Sequence, residues 1–286
     1  MQAKARGTAE EVLQGQQMGP VIREWSAKDS ILYALGLGFN ETHLAYTTNN
    51  TGSVSHKLVP SFVAVLSQID QLRPDTTGLD TTRAVHASQS FRLHENAVLP
   101  AGRAELTTEV TSVSDKGKGA IYTTRTEAVD PGTRQPIFTS ESSVFIVGAG
   151  GYGGDRGSSQ AWERPETLPD AEVSLTTWTS QPLLYRLNGD YNPLHSDPDF
   201  ARQAGYRGPI LHGMATYGMA CRALLGTVCA GHGLVRGMDA QFTKPVFPGE
   251  TLTYRIWGDS RSGVFVAVNE QEEEVLSKGR YFGGKE

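Results

Sequence analysis

The chain has 286 residues but only two cysteines, Cys221 and Cys229. So few thiols exclude a disulfide framework and a four-thiolate zinc or iron–sulfur centre. Both lie in an apolar helical stretch and read as buried free thiols. Positive charge is not in excess, since 26 Lys and Arg face 31 Asp and Glu, a net charge of −5. Neutralising a phosphate backbone needs a basic surplus, so nucleic acid is not the expected partner. No run of about 18 apolar residues occurs, and no membrane-spanning helix is expected. The stretch from Met1 to Met18 has no apolar secretory core. The terminal Phe282-Gly283-Gly284-Lys285-Glu286 is no peroxisomal address, so the expected compartment is the cytoplasm. Without a secretion signal, the sequons at Asn40 and Asn49 carry no weight. A strand–G-x-S-x-G–helix context is also missing, which argues against a Ser–His–Asp hydrolase.

Glycine, by contrast, is plentiful, with 32 residues. Many fall in Val147-Gly148-Ala149-Gly150-Gly151-Tyr152-Gly153-Gly154-Asp155-Arg156-Gly157. Residues 148–153 formally match G-x-G-x-x-G behind a predicted strand. A dinucleotide site needs that loop to open a helix, whose N-terminus holds the pyrophosphate. The following Asp155-Arg156-Gly157-Ser158-Ser159 is not helical. The segment 148–170 therefore reads as a linker between residues 1–147 and 171–286.

These two parts echo each other. Ile31-Leu32-Tyr33-Ala34-Leu35-Gly36 resembles Leu183-Leu184-Tyr185-Arg186-Leu187-Asn188, with the tyrosines 152 positions apart. Leu58-Val59-Pro60-Ser61-Phe62 falls opposite Ile210-Leu211-His212-Gly213-Met214 at the same offset of 152. Val98-Leu99-Pro100-Ala101-Gly102 matches Val246-Phe247-Pro248-Gly249-Glu250 at 148. Three ordered matches at nearly one offset indicate a duplicated domain. Each half is predicted to open with a short helix, capped by Ser26 or Ser180. A loop and a second helical stretch follow, then strands near 84–91, 103–113, 120–128 and 137–147. In the second half the strands fall near 237–242, 251–257, 264–269 and 274–282. Helices before a run of strands predict an α+β domain with an antiparallel sheet. The segment from His212 to about Ala230 is apolar almost all round, so this helix should be buried with the sheet wrapped round it.

The densest polar stretch is Tyr185-Arg186-Leu187-Asn188-Gly189-Asp190-Tyr191-Asn192-Pro193-Leu194-His195-Ser196-Asp197-Pro198. Asn188-Gly189 and Asn192-Pro193 are turn signals, so the chain folds tightly and can bring Asp190 and His195 to one point. A carboxylate and an imidazole converging on a water form an acid/base pair, with Asn192 placed to hold them. Spacing alone equally allows an Asx turn at Asp190 beside a surface histidine. Asp197-Pro198 reads as a helix N-cap and first position. Gly213 opens the buried helix, where an unpaired N–H and a bare α-carbon suit a developing oxyanion; close packing is the alternative. His195, Asp197, Asp199 and His212 fit no metal-ligand spacing, and no metal is expected.

At these residues the sequence resembles the (R)-specific enoyl-CoA hydratase family, also called hydratase 2 or MaoC-like dehydratases. The resemblance is carried by the stretch from Tyr185 to Pro198, Pro209-Ile210-Leu211-His212-Gly213, and Phe242-Thr243-Lys244-Pro245-Val246-Phe247-Pro248-Gly249. Val85-His86-Ala87-Ser88 and Asp115-Lys116-Gly117-Lys118-Gly119 extend it to the two-domain members, such as the hydratase part of peroxisomal multifunctional enzyme type 2. It covers roughly residues 20–283. The resemblance implies a double hot-dog fold and reversible hydration of a trans-2-enoyl-CoA to a (3R)-hydroxyacyl-CoA, without a cofactor. It implies that Asp190 and His195 activate the water, that Asn192 places them and that the Gly213 N–H binds the thioester carbonyl. By the same match His86, Ala87, Lys116, Tyr191, Pro193, Leu194 and Phe242 line the acyl-CoA site, and Lys116 meets phosphate as a point charge. A homodimer, and a peroxisomal alternative to the cytoplasm, are further implications.

At the offset of 152, Asp190 falls opposite Gly38, Asn192 opposite Asn40 and His195 opposite His43. Lacking the carboxylate, the first copy is expected to be inactive and to supply acyl and CoA contacts. Thr47-Thr48 and Asp155 depart from the family pattern, which bears on substrate range. The rival functions are a hot-dog acyl-CoA thioesterase and a non-catalytic acyl-CoA-binding protein.

Overall fold

The computed structural model describes residues 7–68, 79–80, 84–94, 99–158, 161–230 and 234–284. Residues 1–6, 285–286, Val98 and Ser159, which enter expectations above, lie outside these. Ten strands form one sheet: β1 Gln17–Trp25, β2 Ala84–Leu93, β3 Gly102–Asp115, β4 Gly119–Val129, β5 Pro136–Val147, β6 Ala171–Thr176, β7 Leu234–Phe242, β8 Thr251–Gly258, β9 Ser262–Val268 and β10 Glu274–Gly284. Their order is β1-β3-β4-β5-β2-β7-β10-β9-β8-β6. Read inward from either edge, both halves run first, third, fourth, fifth, second. The duplication predicted from the sequence is thus repeated in the topology, and the whole is a double hot-dog.

The halves are zipped by antiparallel pairing of β2 with β7, from Ser88 opposite Gln241 to Arg92 opposite Gly237. Seven helices accompany the sheet among the described residues: α1 Ala9–Leu13, α2 Ala27–Gly36, α3 Leu44–Thr47, α4 Phe62–Leu66, α5 Gln181–Tyr185, α6 Pro198–Gln203 and α7 Gly213–Gly226. Along α7 ten residues are buried, from Met214 to Leu224, as its all-round apolar sequence requires. Burying one such Leu or Met is worth about 2 kcal/mol. Tyr217 and Tyr254 fix α7 to the sheet, their hydroxyls donating to the carbonyls of Met238 at 2.6 Å and Thr216 at 3.1 Å. Cys221 and Cys229 are buried and free, as expected.

One expectation needs correction. In each half a strand, β1 or β6, precedes the helix predicted to open it, and in the first half the short helix α1 comes before β1. Both strands are edge strands; β6 alternates half-buried with exposed, and β1 is interrupted between Met18 and Val21 around Gly19-Pro20. Neither therefore shows a clean apolar stripe. Ser26 caps α2 in a reciprocal box with Asp29, whereas Ser180 occupies the cap position of α5 without a side-chain bond.

The glycine-rich run forms no phosphate loop. Its amides are taken by a carboxylate: Asp115, at the end of β3, accepts from Gly151 and Gly153 at 2.8 Å each and from Gly117 at 2.7 Å. Those three N–H groups hold the Asp115 carboxyl down at about 2. The run is thereby stapled to the β3–β4 hairpin.

Candidate active site

Capping bonds fix the loop after α5. A single 3-10 turn, Arg186–Asn188, ends at Gly189, whose φ of +121° is a conformation side chains disfavour. Asp190 Oδ1 then accepts from the Asn192 N–H at 3.1 Å. Asn192 Oδ1 accepts from Leu194 N–H at 3.0 Å and caps a second 3-10 turn, Pro193–His195. Asp197 caps α6 through the amides of Asp199 and Phe200, as predicted.

The Asx turn of one alternative is present, but the histidine beside it is buried, not at the surface. Oδ1 makes the Asx turn, while Oδ2 faces His195 Nε2 at 3.9 Å. The His195 ring is buried, and its Nδ1–H donates to the Ile210 carbonyl at 2.9 Å. A carbonyl only accepts, so in the neutral ring Nε2 carries the lone pair. Burial pushes the His195 imidazolium below its ordinary range; the Ile210 carbonyl and the Asp190 charge oppose that. Two acceptors 3.9 Å apart do not bond each other, but leave room for one water about 2.8 Å from each.

Asn192 acts locally, since its side chain caps the turn and its main-chain N–H holds Asp190. Gly213 is the first residue of α7, where the helix itself offers its N–H no acceptor. A β-carbon there would lie 3.1 Å from the Phe242 ring. Phe242 in turn packs on His86 of β2, with centroids 4.7 Å apart. His86 shares a hydrogen bond with Ser142 at 2.9 Å, and burial lowers its pKa to about 4 despite the Asp190 charge. Ala87 lies at the bulge between His86 and Ser88. The first half thereby reaches the end of β7 and, through Phe242, the start of α7. Tyr191, Pro193 and Leu194 lie on the loop itself, with Tyr191 exposed beneath the Arg186 guanidinium, 4.8 Å from its ring centroid. Lys116 lies on the β3–β4 hairpin, where its Nζ donates to the Arg156 carbonyl.

Sequence reasoning missed two residues here. His212, for whose side chain only a metal-ligand role was weighed, stacks directly on His195 with centroids 3.7 Å apart. Arg186 stands beside it and forms no ion pair among the described residues, with its Nε buried and unpartnered. Asp190, His195 and His212 present donor atoms within 4.8 Å of one another. The two rings lie nearly parallel, at 24°, so their lone pairs run side by side and do not meet at a tetrahedral centre. Asp197 and Asp199 are turned to capping α6 and pairing with Arg202.

The equivalent loop in the first half lacks this geometry. Gly38 has a φ of +83°, and a β-carbon on it would lie 2.7 Å from the Arg222 guanidinium. A cation and a left-handed backbone thus occupy the carboxylate's place. His43 is bound to Asn40 Oδ1 at 2.7 Å.

Comparison with known proteins agrees with this fold. Residues 160–278 match the MaoC like domain family, and residues 24–148 match the MFE-2 hydratase 2 N-terminal domain family. The chain belongs to the two-domain MaoC-like, hydratase 2 family. It is 40% identical to 3-hydroxyacyl-thioester dehydratase Y of Mycobacterium tuberculosis, over 83% of each chain. It is 39% identical to Enoyl-CoA hydratase ChsH3 of the same organism, over 93% of this chain and 96% of that one. The crystal structure of a MaoC-like dehydratase from Phytophthora capsici superposes with a TM-score of 0.86 at 27% identity, covering 98% of this chain and 99% of that one.

Proposed function

We propose that the protein is a hydro-lyase that reversibly adds water to a trans-2-enoyl-CoA, giving the (3R)-3-hydroxyacyl-CoA. The observation that carries this reading is the 3.9 Å gap between two acceptors, Asp190 Oδ2 and neutral His195 Nε2. A water in that gap gives a hydrogen to each and turns a lone pair outward, toward C3 of the enoyl group. As the O–C3 bond forms, the pair takes one proton. Electrons move through C2 to the thioester oxygen, where the Gly213 N–H at the positive end of α7 stabilises them. The pair then returns a proton to C2, so water adds across the double bond and the pair ends unchanged. We assign catalysis to residues 171–286, a linker role to 148–170 and acyl-CoA contacts, through His86 and Ala87, to residues 1–147. To Lys116, on the β3–β4 hairpin, we assign a CoA phosphate.

The rival is thioester hydrolysis, with the same water attacking C1. Product analysis separates them: we expect hydroxyacyl-CoA to form while free thiol stays at background, with loss of the enoyl-thioester absorbance. Stoichiometric release of CoA without hydroxyacyl product would make the protein a thioesterase. Among the described residues no helix is long and apolar enough to cross a membrane. The cytoplasm and a homodimer complete this reading, to be checked by fluorescent fusion and by light scattering.

A further inference from the structure

We propose that His212 is a positioning residue: one buried imidazole that touches both members of the acid/base pair and fixes the gap between them. The proposal rests on the reading of Asp190 and His195 given above. The His212 ring is 1% exposed and lies against the His195 ring, with centroids 3.7 Å apart and planes 24° from parallel. Its Nε2–H donates to the main-chain carbonyl of Asp190 at 3.2 Å. One side chain therefore sets the ring of one partner and the backbone of the other. It also directly precedes Gly213, so the proposed oxyanion donor is referenced to the same ring.

Three further observations support the assignment. Because the Asp190 carbonyl can only accept, the neutral ring carries its proton on Nε2, and Nδ1 is left buried without a partner. An unpartnered buried acceptor costs stability, as expected where function fixes the geometry. Second, His212 is braced from below by Tyr185, with centroids 5.0 Å apart, then Tyr33 at 6.0 Å and Phe62 at 5.0 Å. This ladder of rings runs from the proposed water site into the first repeat. Third, the first repeat has Pro60 opposite His212 and Gly38 opposite Asp190 at the 152-residue offset. The copy without the carboxylate lacks the bracing imidazole too.

The test uses His212→Phe and His212→Ala in the full chain, with Asp190→Asn as reference and a 2-enoyl-CoA as substrate. A misplacement of about 1 Å can cost about 100-fold in rate. For His212→Ala we expect kcat to fall about 10- to 100-fold with KM changed less than threefold. His212→Phe keeps a flat ring under His195 but loses the donor, so its kcat should fall between Ala and wild type. The acid limb of its kcat profile should move up by about half a pH unit, because a protonated His195 then faces a benzene ring. If both variants keep kcat within twofold of wild type and an unmoved acid limb, His212 does not position the pair. A parallel loss in kcat and KM with the acid limb unmoved would assign it a purely structural role and also overturn the proposal. Full activity in Asp190→Asn, by contrast, would remove the acid/base reading itself.

Discussion

A methyl group on Gly213 would meet the Phe242 ring at 3.1 Å, close enough to require the ring to give by a few tenths of an ångström. Phe242 is half-buried and leans on His86, so displacement carries across both halves of the site. We predict that Gly213→Ala lowers kcat by about 10- to 100-fold, less than the full loss of an oxyanion donor. Shortening the ring in Gly213→Ala/Phe242→Leu should recover part of that, a non-additivity read in a double-mutant cycle. At this scale the sequence pointed to Asp190, His195 and Gly213, because turn signals and a helix start bracket them, and the structure sets Asp190 and His195 3.9 Å apart with Gly213 opening α7. It concealed His212, since no spacing rule tells that a residue 22 positions past Asp190 bonds its carbonyl. Asn192 was found, but its amide and carbonyl serve the turn itself.

Among the elements, eight strands were legible because their β-branched and aromatic residues stand between clear turns, with bounds off by up to three residues at an end. The edge strands β1 and β6 were not, for want of a buried face on both sides. The glycine-rich run was correctly separated from dinucleotide loops, yet nothing local identified Asp115, 36 positions earlier, as the group binding Gly151. This staple is testable. Asp115→Asn keeps the oxygen but loses the charge that three amides surround, so residues 148–158 should become the first site of proteolytic cleavage while β3–β4 stays intact. Mass spectrometry of the early fragments reads this, and an unchanged cleavage pattern would show that the linker is held by other contacts.

Over the whole molecule, the largest apolar cluster spans both repeats, from Tyr33 and Phe62 to Tyr185, Tyr217 and Phe265, with a smaller one in each. The predicted duplication gave the order of elements within a repeat, but the β2–β7 seam depends on contacts 147 positions apart, such as Arg92 with Asp239. With a shared core and shared sheet, the two halves should unfold in one calorimetric transition; two separated peaks would show independent domains. Buried neutral histidines also set the acid response. His86 titrates near 4 when folded against 6.5 ordinarily, so below pH 6.5 the unfolded chain binds the extra proton. The melting temperature should therefore be flat above pH 6.5 and fall as pH drops from 6.5 toward 4. Between 3.8 and about 2 the Asp115 contribution is lost as well. His86→Asn should make the upper part of that curve shallower, the rest of its slope coming from His195 and His212, and leave the lower part.

The shared water is tested most directly by kcat for Asp190→Asn, His195→Gln and the double variant, followed through loss of enoyl-thioester absorbance. One water held by two groups predicts that each single change costs about 100- to 10,000-fold and that the double costs little more than either. Either single variant within tenfold of wild type, or a double loss equal to the product of the singles, would contradict it.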